Sequence, residues 1–267
     1  MHISVLGPIE VTDAAGPLPL VGHRQRALLA VLALEAGRVV PVHRLVDAIW
    51  DDSPPATARA KVQAHVCALR QVIGQRAQDP AGPLLTCPPG YLLRLRDGEL
   101  DLTEFGSLTA RAVNASRLGQ PDAASELLTC ALALWRGEVC ADVASPLVRA
   151  AADALEERRL LAIEAKAEAD MALGRCDAVA ADLAAYVARY PLRERLRAML
   201  MLAWYRLGCR ANALTAYRDG RQAMIAGLGL EPGPQLRHLH QRILADDPSL
   251  QVSAPKRFKV TIGAQAQ

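Results

Sequence analysis

The alternation of hydrophobic and polar positions divides this chain into an N-terminal third of mixed strands and helices and a longer part that is helical throughout. Period-two alternation predicts short strands over residues 2–6, 9–12 and 18–21. Apolar positions one helical turn apart predict a first helix from Arg24 to Ala36 and a second from Val42 to Trp50. We therefore expect a small mixed domain at the N-terminus.

A third helical pattern runs from Pro54 to Ile73. Its apolar positions fall on one face of a helix and predict a buried stripe. These positions are Val62, Val66, Leu69 and Ile73. Ser53 is expected to cap this helix through its side chain. The two prolines that follow are tolerated in a first helical turn. The opposite face carries only small or neutral residues, namely Ala60, Ala64, Cys67 and Gln71.

Basic residues are concentrated around this third helix. From Pro54 to Gln78 the chain has four basic residues and no acidic one, a local charge of +4, although the whole chain carries only +3. A helix with a buried stripe, a small outer face and basic flanks is what the major groove of DNA admits. The candidates for base contacts are Thr57, Arg59, Lys61, Gln63 and Arg70. Which of them contact bases and which contact phosphates is left open by the sequence.

Further strands are expected on both sides of these helices. Val39-Val40 predicts a bridging strand, and residues 84–95 predict two strands around a Pro-Pro-Gly turn. This order predicts a winged helix-turn-helix with an N-terminal sheet. Tyr91, at the wing tip, is a candidate for a contact with the DNA backbone or the minor groove. Arg24 and Arg26, beside the start of the first helix, are candidates for phosphate contacts, with a solvated helix face as the alternative.

The remainder of the chain repeats a helical signature. Leu-Gly pairs followed by alanines occur at Gly119, Gly174 and Gly208, and the last two glycines are 34 residues apart, which is the tetratricopeptide period. Helical hairpins of this kind bury their apolar faces by stacking on one another.

These patterns predict a fold that is mainly α with a small β component. We expect a winged-helix domain over residues 1–97 and an all-α, tetratricopeptide-like repeat domain over residues 98–247. Residues 248–267 have no periodicity and are predicted to be a disordered tail, with a strand from Phe258 to Ile262 formed with a partner as the alternative.

The sequence contains no constellation typical of an enzyme. Phosphate-binding glycine loops and the His-Glu-x-x-His metal motif are absent, and the six cysteines lack metal-ligand spacing. We therefore expect no catalytic activity, cofactor or metal. The absence of a long apolar stretch and of a signal-peptide pattern predicts a cytoplasmic protein without a membrane partner. The alternative function is a tetratricopeptide-type adaptor whose winged helix binds protein, and the basic third helix argues against it.

Seven phrases follow one another along the chain: Arg24-Gln-Arg-Ala-Leu-Leu-Ala30, Gly37-Arg-Val-Val40, Arg44-Leu-Val-Asp-Ala-Ile-Trp50, Pro88-Pro-Gly-Tyr91, Leu134-Trp-Arg-Gly137, Pro191-Leu-Arg-Glu-Arg195 and Gly229-Leu-Glu-Pro-Gly-Pro234. In this order they resemble the Streptomyces antibiotic regulatory protein family. Members of that family join an OmpR-like winged helix to a bacterial transcriptional activation domain of tetratricopeptide-like hairpins. The resemblance covers nearly the whole chain, which we expect to be a complete short member.

The resemblance also implies a function. It implies a sequence-specific transcriptional activator, specific for a secondary-metabolite (antibiotic) gene cluster, that binds direct repeats in promoter DNA and recruits RNA polymerase holoenzyme. It further implies at least a homodimer on DNA, in the cytoplasm at the nucleoid.

Three positions depart from the family pattern. Where the family often has a basic residue, this chain has Ala68 and Gln71 in the third helix and Cys87 in the wing. Each lost phosphate contact removes roughly one unit of salt dependence. We therefore expect modest DNA affinity for a lone protomer, with dimerisation or polymerase contacts supplying the rest.

Overall fold

The computed structural model describes residues 1–74 and 82–251, which are mainly helical with two small sheets. The expected fold class is confirmed: a winged helix-turn-helix is followed by a helical repeat region. None of the described helices is long and apolar enough to cross a membrane. Of the predicted tail, residues 252–267 lie outside the described residues.

The elements follow the predicted order. The strands are β1 (His2–Ser4), β2 (Glu10–Asp13), β3 (Gly16–Pro17), β4 (Val39–Pro41), β5 (Leu84–Cys87) and β6 (Gly90–Leu93). The helices are α1 (Gly22–Leu34), α2 (Val42–Trp50), α3 (Ala58–Gly74), α4 (Asp101–Arg117), α5 (Pro121–Ala133), α6 (Pro146–Ala172), α7 (Cys176–Arg189), α8 (Glu194–Arg206), α9 (Arg210–Leu228) and α10 (Pro234–Leu244).

The N-terminal sheet has the antiparallel order β1-β2-β3. The predicted third strand over residues 18–21 is wrong in position, because the chain turns back earlier. The Asp13 carboxylate accepts the backbone N–H of Ala15 at 2.7 Å in a tight turn. The return strand β3 therefore starts at Gly16.

The second sheet has the order β4-β6-β5, with both pairs antiparallel. It confirms the predicted hairpin around Pro88-Pro89, whose peptide bond is cis, and the bridging strand β4. The N–H of Gly37 donates to the carbonyl of Leu93 at 2.9 Å, which joins the end of α1 to this sheet.

Helices α1, α2 and α3 pack around a shared apolar core. α2 begins and ends at the predicted residues. The predicted stripe of α3 is buried throughout, with Val62, Val66, Leu69 and Ile73 at most 2% exposed. Burial of each such side chain contributes about 1.5–3 kcal/mol, so this stripe holds α3 in the core and leaves its other face to solvent.

The start of α3 differs from the prediction. The helix begins at Ala58, and Ser53 is not its cap. The first helical bond runs from the N–H of Lys61 to the carbonyl of Thr57, at 3.0 Å. A residue that precedes a proline is restricted to extended conformations. Ser53 and Pro54 each precede a proline, which explains why both lie before the helix.

The carboxylate of Asp101, in the first turn of α4, accepts hydrogen bonds from the backbone N–H groups that follow β1. It accepts the N–H of Val5 at 2.8 and 3.0 Å and the N–H of Leu6 at 2.9 Å. Asp101 is only 2% exposed. Burial raises the pKa of Asp101, although the bonds from Leu6 and Val5 oppose that shift. Because buried amides need acceptors, this one side chain fixes α4 to the N-terminal strand.

The loop between α5 and α6 donates hydrogen bonds to the backbone carbonyls of the same stretch of chain. The N–H of Arg136 donates to the carbonyl of Leu6 at 2.7 Å, and the N–H of Cys140 donates to that of Val5 at 3.0 Å. A Cβ on Gly7 would lie 2.9 Å from the Cβ of Arg136, so the two backbones are in close contact. The Trp-Arg-Gly phrase is therefore a docking segment for the N-terminal strand.

An aromatic cluster supports this loop. The rings of Phe105 and Trp135 meet edge to face, with centroids 5.4 Å apart. The guanidinium of Arg158 lies over Phe105 at 5.7 Å, and that of Arg159 lies over Trp135 at 4.8 Å. These contacts hold the middle of α6 against α4 and the loop.

The chain forms two compact units. The first combines Met1–Leu118 with Glu126–Ile163, and the second combines Gly119–Ser125 with the chain from Glu164 onwards. Helix α4 and the Trp-Arg-Gly loop thus belong to the unit that holds the winged helix. The predicted domain boundary between residues 97 and 98 stays a prediction.

The second unit carries the repeat. Gly174 and Gly208 both have a φ of 77°. The N–H of Arg175 donates to the carbonyl of Asp170 at 2.9 Å, and the bond 34 residues later has the same length. Leu250, which the sequence places in the tail, is 5% exposed and packs into the core of this unit.

Removing the Asp101 acceptor should destabilise the protein. We expect Asp101→Ala to lower the free energy of unfolding by about 2–4 kcal/mol, because two buried amides lose their partner. Asp101→Asn keeps one acceptor oxygen and should lose less. Urea unfolding, followed by circular dichroism, measures both losses. The control is Asp97→Ala at an exposed position, with an expected change within about 0.5 kcal/mol. Equal losses for Asp97→Ala and Asp101→Ala would contradict the role assigned to Asp101.

Candidate nucleic-acid interface

The flanks of α3 and the residue just before it present the predicted polar and basic side chains to solvent. Thr57, Arg59, Lys61 and Gln63 are all exposed. No ion pair joins Arg59 or Lys61 to an acid of the described residues. Between and beyond them, the exposed small side chains of α3 are Ala60, Ala64, Cys67 and Ala68. The result is a shallow, cationic helix surface without bulky obstruction, which suits close approach to a groove.

Arg70 differs from the other candidates because its guanidinium is already engaged. Its Nε donates to the carbonyl of Leu84 at 2.9 Å, and its Nη2 donates to Oγ1 of Thr86 at 2.7 Å. The same group lies 5.9 Å from the centre of the Tyr91 ring. Arg70 thus joins α3 to both strands of the wing hairpin, and this position favours a positioning role over base contact.

Tyr91 lies under this contact and is only 7% exposed. Its neighbour Gly90 packs directly against β4, since a Cβ on Gly90 would overlap the carbonyl of Val40. The Pro-Pro-Gly-Tyr phrase therefore gives the wing its close pairing with β4 and its internal support. A DNA contact by Tyr91 stays a prediction, and its buried ring does not favour it.

Two residues at the start of α1 have structural partners. Gln25 is buried, and its Oε1 accepts the N–H of Val21 at 2.6 Å, which ties the residue before α1 to its first turns. Arg26 forms a 2.6 Å ion pair with Asp142 and donates to the carbonyl of Ile9 at 3.2 Å. Asp142 also accepts the N–H of Ile9 at 2.8 Å. The phosphate contact predicted for Arg26 competes with these bonds.

Arg24, by contrast, lies toward α2 and α3. Its guanidinium lies 5.7 Å from the centre of the Trp50 ring, and its buried Nε has no hydrogen-bond partner among the described residues. The other neighbour of Trp50 is His65 of α3, with ring centroids 6.5 Å apart. Burial, followed by the charges of Arg24, His23 and Lys61, lowers the pKa of His65. His65 thus packs against the Trp50 ring at the contact between α2 and α3.

The structure thus separates the eight predicted residues into three groups. Thr57, Arg59, Lys61 and Gln63 are exposed, with Arg59 and Lys61 on opposite flanks of α3, and Arg24 of α1 contacts the Trp50 ring. The residues held by contacts inside the protein are Arg26, Arg70 and Tyr91. Sequence reasoning gave no role to Trp50, which links Arg24 to His65, and it missed Asp142, for which no local pattern gives a signal.

Histidine, cysteine and carboxylate side chains form no cluster of three or more that suits a metal ion, as far as residues 1–74 and 82–251 are concerned. The features that the described surface offers to a ligand are its charge, its shape and its hydrogen-bond donors.

Two family models match the chain. The model described as "Transcriptional regulatory protein, C terminal" matches residues 19–93. The model described as "Bacterial transcriptional activator domain" matches residues 100–244. Their junction lies close to the predicted boundary at residue 97, within the first compact unit.

Three relatives show how much of the chain is shared. The transcriptional regulatory protein EmbR of Mycobacterium tuberculosis is 38% identical over 98% of this chain and 67% of its own length. The regulatory protein DnrI of Streptomyces peucetius is 35% identical over 96% of both chains. The regulatory protein AfsR of Streptomyces coelicolor is 39% identical over 94% of this chain, but over only 25% of its own length.

A solved structure is also similar. It is M. tuberculosis EmbR in complex with a low-affinity phosphopeptide, with 39% identity and a TM-score of 0.89. The match covers 92% of this chain and 65% of that one, so this chain spans slightly less than two thirds of that structure.

Substitution of Arg70 should separate positioning from direct contact. We expect Arg70→Ala to lower the free energy of unfolding by about 1–2 kcal/mol, because two hydrogen bonds to the wing are lost. Affinity for duplex DNA should fall too, while its salt dependence stays the same. Loss of a phosphate contact would instead reduce the salt slope by roughly one unit. Urea unfolding and fluorescence anisotropy at several salt concentrations measure these effects. Arg38→Ala, at an exposed arginine beside β4, is the matched control.

Proposed function

Because this chain belongs to the Streptomyces antibiotic regulatory protein family of transcriptional regulators, we propose that it activates transcription by inserting α3 into the major groove of promoter DNA. In this proposal Arg59, Lys61, Gln63 and Thr57 contact bases and the adjacent phosphates. Arg24 binds backbone phosphate, and Arg70 holds the wing in place.

The observation that carries this proposal is the state of the outer face of α3. Arg59 and Lys61 are exposed and make no ion pair within the described part of the chain, and no acid occurs from Ser53 to Gln78. An arginine of this kind can pair bidentately with guanine, and a glutamine such as Gln63 can pair with adenine. Uncompensated cations grouped on one surface helix repel one another, and a DNA-binding helix uses them to neutralise phosphates.

We further propose that the protein acts as at least a homodimer on directly repeated half-sites, in the cytoplasm at the nucleoid. The wing and α3 carry fewer cations than family members often do, with Ala68, Gln71 and Cys87 at three such places. A second protomer on a direct repeat would supply the missing affinity. The helical region of stacked hairpins provides an extended surface for partner proteins, and RNA polymerase holoenzyme is the partner we propose for it.

The genes controlled are proposed to form a secondary-metabolite (antibiotic) cluster, as the family implies. We propose no catalytic activity and no cofactor. The relatives EmbR, DnrI and AfsR are all regulatory proteins by name, which supports a regulatory rather than an enzymatic role.

The double substitution Arg59→Ala and Lys61→Ala tests the groove assignment. We expect it to weaken binding of the full chain by about 10- to 100-fold and to reduce the salt slope by about two units. The probe is a duplex selected by the unaltered protein from random-sequence DNA, and anisotropy over a salt series gives both quantities.

The matched control removes two exposed arginines from α4 instead. Arg111→Ala with Arg117→Ala changes the net charge by the same amount, away from α3, and should leave the salt slope unaltered. If the α3 variant bound the selected duplex as tightly as the unaltered chain, the groove assignment would be wrong. A failure of the unaltered chain to select any duplex would favour the adaptor function.

A further inference from the structure

Three side chains from three helices form a contact series beside the outer face of α3. The Trp50 ring at the end of α2 is flanked by the guanidinium of Arg24 from α1, at 5.7 Å, and by the imidazole of His65 from α3, at 6.5 Å. All three side chains are half-buried. His65 therefore lies at the edge between the core of the winged helix and the surface proposed to face DNA.

The charged groups that act on His65 are all cationic. α1 contributes His23 and Arg24, α3 contributes Lys61, and α2 contributes the neutral Trp50 ring. No carboxylate of the described residues has a resolved effect on His65. Burial comes first among the causes that lower the pKa of His65, and the three cations add to it. The imidazole of the free protein is therefore neutral at neutral pH.

The cluster also contains a donor without an acceptor. The Nε of Arg24 is buried and has no hydrogen-bond partner in the described chain. Exposed Lys61 and His23 lie close enough to His65 to act on it electrostatically. An anion that binds beside the exposed Lys61 and His23 would offset the positive charge around His65, although the buried Nε of Arg24 is not itself open to it. On the proposed function, that anion is a phosphate of the DNA backbone.

We propose that DNA binding by this protein is coupled to proton uptake at His65, so that its affinity for DNA rises as the pH falls. This inference rests on the proposed function. The phosphate neutralises the field of Arg24 and Lys61 and stabilises the imidazolium. The proton comes from bulk water, and no covalent bond changes. Arg24 and Trp50 act as positioning residues, since they place His65 against the phosphate.

The sign of the effect follows from linkage. DNA favours the charged imidazolium, so the pKa of His65 is higher in the complex than in the free protein. Between these two pKa values the complex binds more protons, and acidification therefore favours the complex. Each full proton taken up changes the affinity by up to about tenfold per pH unit. The imidazole is only partly protonated over part of this pH range. We therefore expect a three- to tenfold tighter complex at about pH 6 than at about pH 8.

The test measures the affinity of the full chain for its selected duplex at about pH 6 and about pH 8. The unaltered chain should show the pH dependence, and His65→Gln should lose most of it while still binding DNA at the higher pH. His23→Gln probes the nearest other histidine, and His238→Gln in α10 is the distant control. Both should keep most of the pH dependence.

A second measurement needs no substitution. NMR titration of the imidazole resonances of the unaltered chain, with and without the duplex, should show the His65 pKa rising on binding. A merely structural histidine would not respond in this way. Retained pH dependence in His65→Gln, its loss in His23→Gln alone, or an unmoved His65 titration would each overturn the inference and leave the proposed function intact. Absence of DNA binding at both pH values would overturn both.

Discussion

The first compact unit depends on one buried carboxylate. Asp101 is the shared acceptor for consecutive backbone amides, those of Val5 and Leu6, as the chain leaves β1. The carbonyls of the same two residues are satisfied by Arg136 and Cys140 from a loop more than a hundred residues further along the chain. Since buried backbone groups must find partners, the N-terminal strand is complete only when α4 and that loop are present.

The arginines of the winged helix show that the number of basic residues in the sequence overestimates the charge available for binding a ligand. Arg26 is neutralised by Asp142, and Arg70 is tied to the carbonyl of Leu84 and to Thr86. Both residues lie in basic stretches of the sequence, yet both hold parts of the protein together. Arg59 and Lys61 supply the charge that faces outward. The sparing use of free cations fits a regulator that gains specificity from assembly rather than from a single strong contact.

The structural features that depend on a local sequence pattern could be predicted from the sequence. Period and burial agree in α3, where four apolar positions form the stripe, and the 34-residue spacing returns as equivalent hydrogen bonds at the repeat turns. The start of α3 was missed because consecutive prolines constrain Ser53 more strongly than its capping preference does. The partners of Asp101, Asp142 and Arg70 were out of reach, because a side chain that meets a distant backbone leaves no periodic trace in the sequence.

Most phrases that resemble the family turn out to contain structural contacts. Gln25 holds the residue before α1, Gly90 allows close strand pairing, and Arg136 docks the N-terminal strand. The docking of that strand has a practical consequence for protein engineering. A winged-helix fragment cut at the end of the wing would leave the amides of Val5 and Leu6 without acceptors. A transplantable version would have to carry α4, the loop after α5 and the first half of α6 with it.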